Sequence, residues 1–169
     1  MPYIYFRKNP RMNPANSPVY YVTGPLHSGK TTGLRHWCAG RADVAGVFQP
    51  VIEGQRYFED VRTGYRMQME TGPAEADAHT VGKYRFAVAA FDWAATVLVE
   101  ALDVAEVKYL VVDEIGPLEL RGQGLHTVLE ELLLSPIPGV SLILVVRDYL
   151  LDAVLMHYGV KDVAIAFAG

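Results

Sequence analysis

The chain has 169 residues, 51% of them hydrophobic, and 15 Lys and Arg against 19 Asp and Glu give a net charge of -4. That length and apolar content fit one ordinary domain, 1–169, with a buried core, and the lack of any dense Lys/Arg cluster argues against a DNA or RNA surface, which needs clustered cations. No apolar run approaches a membrane span, "MPYIYFRKNPR" carries charges where a signal peptide needs its apolar stretch, and the lone Cys38 reads as a small core residue, so the expectation is a cytoplasmic protein.

Residues 1–18 hold Pro2, Pro10, Pro14 and Pro18 and read as a short extended segment followed by an irregular arm. "VYYVTG" (19–24) is β-branched and aromatic and predicts a buried strand. It runs into "GPLHSGKTT" (24–32), which matches G-x-x-x-x-G-K-[ST] at Gly24, Gly29, Lys30 and Thr31. From Lys30 to Ala39 the spacing of Leu34, Trp37 and Cys38 predicts a helix. "VAGVFQPVI" (44–52) predicts a strand broken or edged at Pro50. Alternation across "YFEDVRTGYRMQME" (57–70), with Thr63 and Gly64 in the middle, predicts a β-hairpin carrying Arg62 and Arg66. A helix from Ala87 to Leu102 aligns Phe91, Ala95, Leu98 and Leu102. "VKYLVVDEIG" (107–116) predicts a buried strand ending in two acids. A helix with Leu125, Val128, Leu129, Leu132 and Leu133 on one side follows and stops at Ser135 and Pro136. "VSLILVVRD" is a further strand, then a helix capped by Asp148 and ended by Gly159, and "DVAIAFAG" a last strand. Strands alternating with helices predict an α/β layered fold with a mostly parallel sheet.

Strand, glycine loop and helix stand in the order a phosphate-binding loop requires. Successive backbone N–H groups at a helix N-terminus offer donors and a favourable dipole to several negative charges without burying a countercharge. On that reading Gly24, Pro25, Leu26, His27, Ser28, Gly29, Lys30, Thr31 and Thr32 form the nucleotide-binding loop. Lys30 reaches the β- and γ-phosphates, the Thr31 hydroxyl ligates Mg²⁺ and Thr32 adds an α-phosphate contact, while His27 occupies a position the motif does not specify. Asp113, at the end of an apolar strand, is the acid for the metal shell, and Glu114 the candidate to orient and deprotonate a water. Glu119 reads as a solvated, capping or functional acid. Arg147, at another strand's carboxyl end, reads either as a γ-phosphate sensor or as half of an ordinary ion pair with Asp148 or a neighbour.

"GPLHSGKTT", "VGKY" (81–84) and above all "VVDEIGPLEL" resemble the cancer-related nucleoside-triphosphatase family, whose acidic motif reads D-E-I-G-P-M-E-L. The motifs occur in the family's order across residues 19 to about 146. The resemblance implies a three-layer P-loop NTPase fold of the additional-strand, catalytic-glutamate type, with the hairpin inserted. It also implies Mg²⁺-dependent hydrolysis of nucleoside triphosphates, ATP or GTP, to diphosphate and phosphate. By position, Lys30 and Glu114 would be catalytic and Thr31 and Asp113 would hold the metal, while Lys83 and Tyr84 match a motif without an assigned role. The stretch "GVFQPVIEGQRYFEDVR" departs from the family's G-F-Y-T-x-E-x-R segment. Two other readings share the fold: a nucleotide or small-molecule kinase, with the Arg62/Arg66 hairpin as a lid and Glu114 or Asp60 handling the acceptor hydroxyl, and a non-catalytic nucleotide-dependent switch.

Overall fold

The computed structural model describes residues 18–25, 28–135 and 137–159, and the backbone course of 3–7. The strands are β1 (Tyr3–Arg7), β2 (Val19–Gly24), β3 (Val44–Phe48), β4 (Val51–Ile52), β5 (Gln55–Asp60), β6 (Arg66–Gln68), β7 (Ala78–Val81), β8 (Tyr84–Ala87), β9 (Tyr109–Ile115) and β10 (Ser141–Arg147). The helices are α1 (Lys30–Cys38), α2 (Val88–Glu100), α3 (His126–Leu134) and α4 (Leu151–His157). The main sheet runs β1-β2-β10-β9-β3-β5-β4, with β6 on the flank of β5. Its central four strands, β2, β10, β9 and β3, are all parallel. β10 therefore lies between the strand that feeds the glycine loop and the strand that ends in the two acids, which is the additional-strand arrangement.

Period-two alternation sets the layers. Val22, Val111, Ile143 and Val145 point to one face, where Leu34 and Cys38 of α1 cover them. Tyr21, Ala45, Leu110, Val112 and Leu144 point to the other, under Phe91, Ala94 and Leu98 of α2 and Leu129 of α3. Burial pushes the Cys38 thiol up to about 12, as befits a core residue. β3 lies so close to β9 that only glycine fits at Gly46: its φ is 126° and a Cβ there would stand 2.0 Å from the Val111 carbonyl oxygen.

Residues 1–18 are not irregular throughout, because 3–7 pair antiparallel with β2 from Tyr3 opposite Thr23 to Arg7 opposite Val19. "YIYFR" has no proline, so every N–H is free to join a ladder. Residues 8–17, Leu26, His27, Pro136 and the strand expected in 162–169 lie outside the described residues. The expected break at Pro50 separates β3 from β4. In the β5–β6 hairpin the Asp60 carboxylate accepts from the Arg62 N–H at 2.9 Å and the Thr63 hydroxyl at 2.6 Å, which fixes the turn. Glu59, 5% exposed, takes Arg35 of α1 and Arg66 of β6 at 2.5 Å each and ties the hairpin to the first helix. A second hairpin, β7–β8, turns on Gly82 and Lys83 and stands as its own two-stranded sheet. Asp148 opens a short 3₁₀ turn rather than capping α4 directly. Among the described residues no helix is long and apolar enough to cross a membrane.

Candidate active site

The carboxyl ends of β2, β9, β10 and β3 meet in one cleft. Gly29 sits in the left-handed region, φ 83°, as the residue before α1, which lets the chain swing from the loop into the helix without a side-chain penalty. Lys30, the first residue of α1, is 6% exposed and its ammonium donates to the Gly24 and Pro25 carbonyls at 2.8 Å each. The loop backbone and its own lysine are thus folded around a common point at the amino end of a helix. Ser28, Gly29, Lys30, Thr31 and Thr32 line a cavity of about 320 Å³ together with Asp113, Glu114, Arg147, Gln49 and Arg56. The structure thus brings Ser28 to Thr32 and both acids to one cavity; Gly24 and the exposed Pro25 do not line it.

The alternation of β9 explains how two adjacent acids do different things. Asp113 shares the parity of Val111 and points to the α1 face, where the Thr31 hydroxyl hydrogen-bonds it. It is 1% exposed, and burial pushes its carboxyl up to about 7, reinforced by Glu114 and opposed by the Thr31 hydrogen bond. The β9–β10 register then slips: Val145 faces Asp113 but Val146 faces Ile115. Glu114 is the extra residue of that bulge, and Ile115 returns to the core face that Val112 occupies. The peptide bond between the two acids is cis. Glu114 is turned out of the ladder into the cleft, where its carboxylate meets both Nε and Nη2 of Arg147 at 2.6 Å. Arg147 pairs with Glu114, then, and not with Asp148.

Three buried oxygens around the loop, Thr23 Oγ1, Ser28 Oγ and Asp113 Oδ2, have no hydrogen-bond partner among the described residues. An unpaired, fully buried carboxylate oxygen beside a threonine hydroxyl is a hard-oxygen donor set that fits a small divalent cation completing its shell with water or phosphate oxygens. No cluster of three or more His, Cys, Asp or Glu competes for a metal among the described residues.

Glu119 is a capping acid. It is 3% exposed, accepting the Gly116 N–H at 2.9 Å and the Leu125 N–H at 3.0 Å, so it closes the loop between β9 and α3. Neither Arg62 nor Arg66 lines the cleft; the first sits on the exposed turn and the second is spent on Glu59. Two residues that sequence reasoning missed do line it. Gln49, just past the end of β3, donates from its side-chain amide to the Glu114 carbonyl at 3.1 Å, and Arg56 reaches in from β5. Position one residue beyond a buried strand's carboxyl end was the available signal for Gln49; Arg56, in a half-exposed strand, offered none.

A second cavity of about 320 Å³ adjoins the first. The two share Gln49, Arg56, Glu114 and Arg147, while Lys83 and Tyr84 of the β7–β8 turn belong to the second alone.

A family model described as NTPase matches residues 19–165. Among solved structures, THEP1 from the hyperthermophile Aquifex aeolicus superimposes with a TM-score of 0.61 at 17% identity, covering 83% of this chain and 81% of that one. The solution structure of a human cancer-related nucleoside triphosphatase gives a TM-score of 0.56 at 24% identity, covering 75% of this chain and 74% of the other. Both likenesses bear on the fold. Comparison with curated proteins finds no match. With the loop, the inserted strand and the two acids in this order, and the family model spanning all of them, the chain belongs to the NTPase family, that of the cancer-related nucleoside triphosphatases, and is an enzyme of that class.

Proposed function

We propose that the chain hydrolyses nucleoside 5'-triphosphates, ATP or GTP, to diphosphate and phosphate, with Mg²⁺ as cofactor. The observation that carries this reading is the bulge at Glu114, which turns a carboxylate into the cleft one residue beyond the buried Asp113. Backbone N–H groups of the loop from Ser28 to Thr32 hold the phosphate chain at the amino end of α1. Lys30, already aimed at the loop's centre, exchanges its carbonyl partners for β- and γ-oxygens. The Thr31 hydroxyl and Asp113 would hold the metal, and Mg²⁺ bound there would supply positive charge to the phosphate chain.

Glu114 accepts the proton of the attacking water and orients it. A carboxylate engaged by a guanidinium at two nitrogens is a poor base, since the cation stabilises its charged form. Arg147 lines the loop cavity as well, so a γ-phosphate competes with Glu114 for it. As sensor, Arg147 turns toward the phosphate and leaves the Glu114 carboxylate free to take the proton. The loop reads phosphate and not base, so a base preference is not built into it.

Single-turnover phosphate release and nucleotide affinity, measured on Glu114→Gln and Asp113→Asn, test this reading. General-base assistance is worth about 10²- to 10⁴-fold, so Glu114→Gln loses roughly that in rate while triphosphate affinity stays within a few fold. Asp113→Asn loses Mg²⁺-dependent affinity as well. Parent-like hydrolysis by Glu114→Gln refutes the assignment of the base.

A further inference from the structure

The second cavity is far larger than a hydrolytic water requires. It offers about 320 Å³, whereas one water takes a share of about 30 Å³ and pockets for organic ligands begin near 300 Å³. Its relation to the loop cavity is ordered. Arg56, Glu114, Arg147 and Gln49 form the common wall, and none of the loop residues 28–32 lines the second space. The second cavity thus lies across that shared wall from the loop cavity.

The walls combine cations with aromatic rings. Two arginines, Arg56 and Arg147, stand at the common wall, and the Arg56 guanidinium lies 5.6 Å from the Tyr84 ring centre. Tyr84 and Phe86 of β8 run nearly parallel, 13° apart at 6.1 Å, and Phe91 closes edge-on against Phe86. Lys83, at the hairpin tip, is exposed and forms no ion pair among the described residues; its ammonium lies 5.3 Å from the Tyr84 ring centre. Of the acids that line the cavity, Glu119 is occupied by two backbone N–H groups and Glu114 is paired with Arg147. Arg56, whose nearest acid Glu70 is 3.9 Å away, and Lys83 supply the further positive charge. Cations beside aromatic rings suit a flat heterocycle carrying a phosphate.

We propose that this cavity binds a nucleoside monophosphate as a phosphoryl acceptor, its phosphate at the arginine wall and its base among Tyr84, Phe86 and Phe91. An oxygen of the acceptor phosphate attacks the γ-phosphorus and forms a new P–O bond. The bond from the γ-phosphorus to the bridging oxygen breaks, and its electron pair leaves with the donor diphosphate. The acceptor becomes a nucleoside diphosphate, and since the attacking oxygen is already ionised no proton has to move. Arg56 and Arg147 sit between the two anions and lower their repulsion. Water fills the same position when the acceptor is absent, which gives the hydrolysis proposed above. The proposal rests on that reading only in requiring a triphosphate in the loop. It also gives the Lys83–Tyr84 motif a role, since the hairpin tip then holds the acceptor.

The experiment incubates the full chain with γ-³²P-labelled ATP, Mg²⁺ and each of the four ribonucleoside 5'-monophosphates in turn, and separates labelled phosphate from labelled nucleoside diphosphate. Unphosphorylated nucleosides form a second arm. Labelled diphosphate is expected with at least one monophosphate, and no labelled monophosphate from any of the nucleosides. Base stacking on an aromatic side chain is worth about 1–3 kcal/mol, so Tyr84→Ala should lower this transfer by about tenfold or more, and Lys83→Ala should lower it as well. Thermal unfolding of both variants reports that the fold is kept; Tyr84 is 37% exposed and its removal opens no core. Label appearing only as inorganic phosphate with all four acceptors overturns the proposal and leaves the hydrolase standing. Transfer unchanged in both variants overturns it too, because the acceptor then lies elsewhere. If neither product is labelled, the loop reading and the acceptor site fall together.

Discussion

Replacing Glu119 by Gln tests the loop that carries the acidic motif into α3. Both carboxyl oxygens of Glu119 accept buried backbone N–H groups, Gly116 at 2.9 Å and Leu125 at 3.0 Å. Glutamine keeps the shape but has one acceptor oxygen, as the protonated acid does, so relative to the ionised acid alone one of the two N–H groups loses its partner, at about 1–3 kcal/mol. A second effect has the opposite sign and depends on pH. Burial pushes the Glu119 carboxyl from 4.5 up to about 7, opposed by the Leu125 and Gly116 N–H groups and reinforced by Glu114. The folded chain therefore binds more protons than the unfolded chain between those values. The stability due to the protonated acid is full below about pH 4.5 and is lost as pH rises through about 7. Each tenfold change in proton affinity is worth about 1.4 kcal/mol, so that loss reaches about 3 kcal/mol. Glutamine does not titrate. At pH 5 the parent acid is itself protonated and, like glutamine, has one full acceptor oxygen, so the variant is expected to be close to the parent there and more stable than it by about 3 kcal/mol at pH 8. Asp113 and the other titrating groups are common to both proteins and cancel in the difference to first order. Urea unfolding followed by the fluorescence of Trp37 and Trp93 at pH 5, 6, 7 and 8 measures it. A gap of the same size at pH 5 and pH 8 refutes the reasoning.

Lys30→Ala removes the one side-chain cation that the motif aims at the β- and γ-phosphates. Triphosphate binding should weaken by about tenfold or more and turnover should vanish, while the unfolding midpoint stays near the parent's; calorimetric titration with a triphosphate, beside a phosphate-release assay, checks it, and near-parental turnover contradicts it. Gly46→Ala drives a methyl group to 2.0 Å from the Val111 carbonyl at a φ that side chains avoid, so β3 must leave β9. A loss above about 4 kcal/mol, seen as a collapsed urea midpoint or an insoluble product, is expected, and a loss within about 1 kcal/mol contradicts the close approach.

The parts of this molecule that its sequence makes legible are those built from neighbours in the chain. "VYYVTGPLHSGKTT" carries its strand, loop and helix start within fourteen consecutive positions, and "YLVVDEI" reads as a buried strand that ends in two acids. What stayed hidden depends on pairs far apart. The partner of Arg147 is 33 residues away, and nothing local ranks Glu114 above the adjacent Asp148. Glu59 reads as one charged residue of a half-exposed hairpin until α1 brings Arg35 against it. The β7–β8 hairpin has strands of four residues each and follows "TGPAEAD", a stretch whose glycine, proline and acids mask any periodicity. The bulge at Glu114 leaves no mark in the sequence at all, because it is a mismatch of register between β9 and β10.

β10 touches both halves of the cleft, with Arg147 opposite Gly24 on one edge and Val145 opposite Asp113 on the other. Strands stand about 4.8 Å apart, so the loop strand and the acid strand are held about 10 Å from each other by the thickness of this one ribbon. It works as a spacer of fixed gauge. The loop strand and the acid strand do not pair with each other, and neither can drift toward the other without crushing β10. Alignment of the cleft is accordingly vested in a strand that lends it one side chain, Arg147. The packing of Leu144, Val145 and Val146, all buried, thus sets the offset between the loop strand and the acid strand from a place outside the cavity.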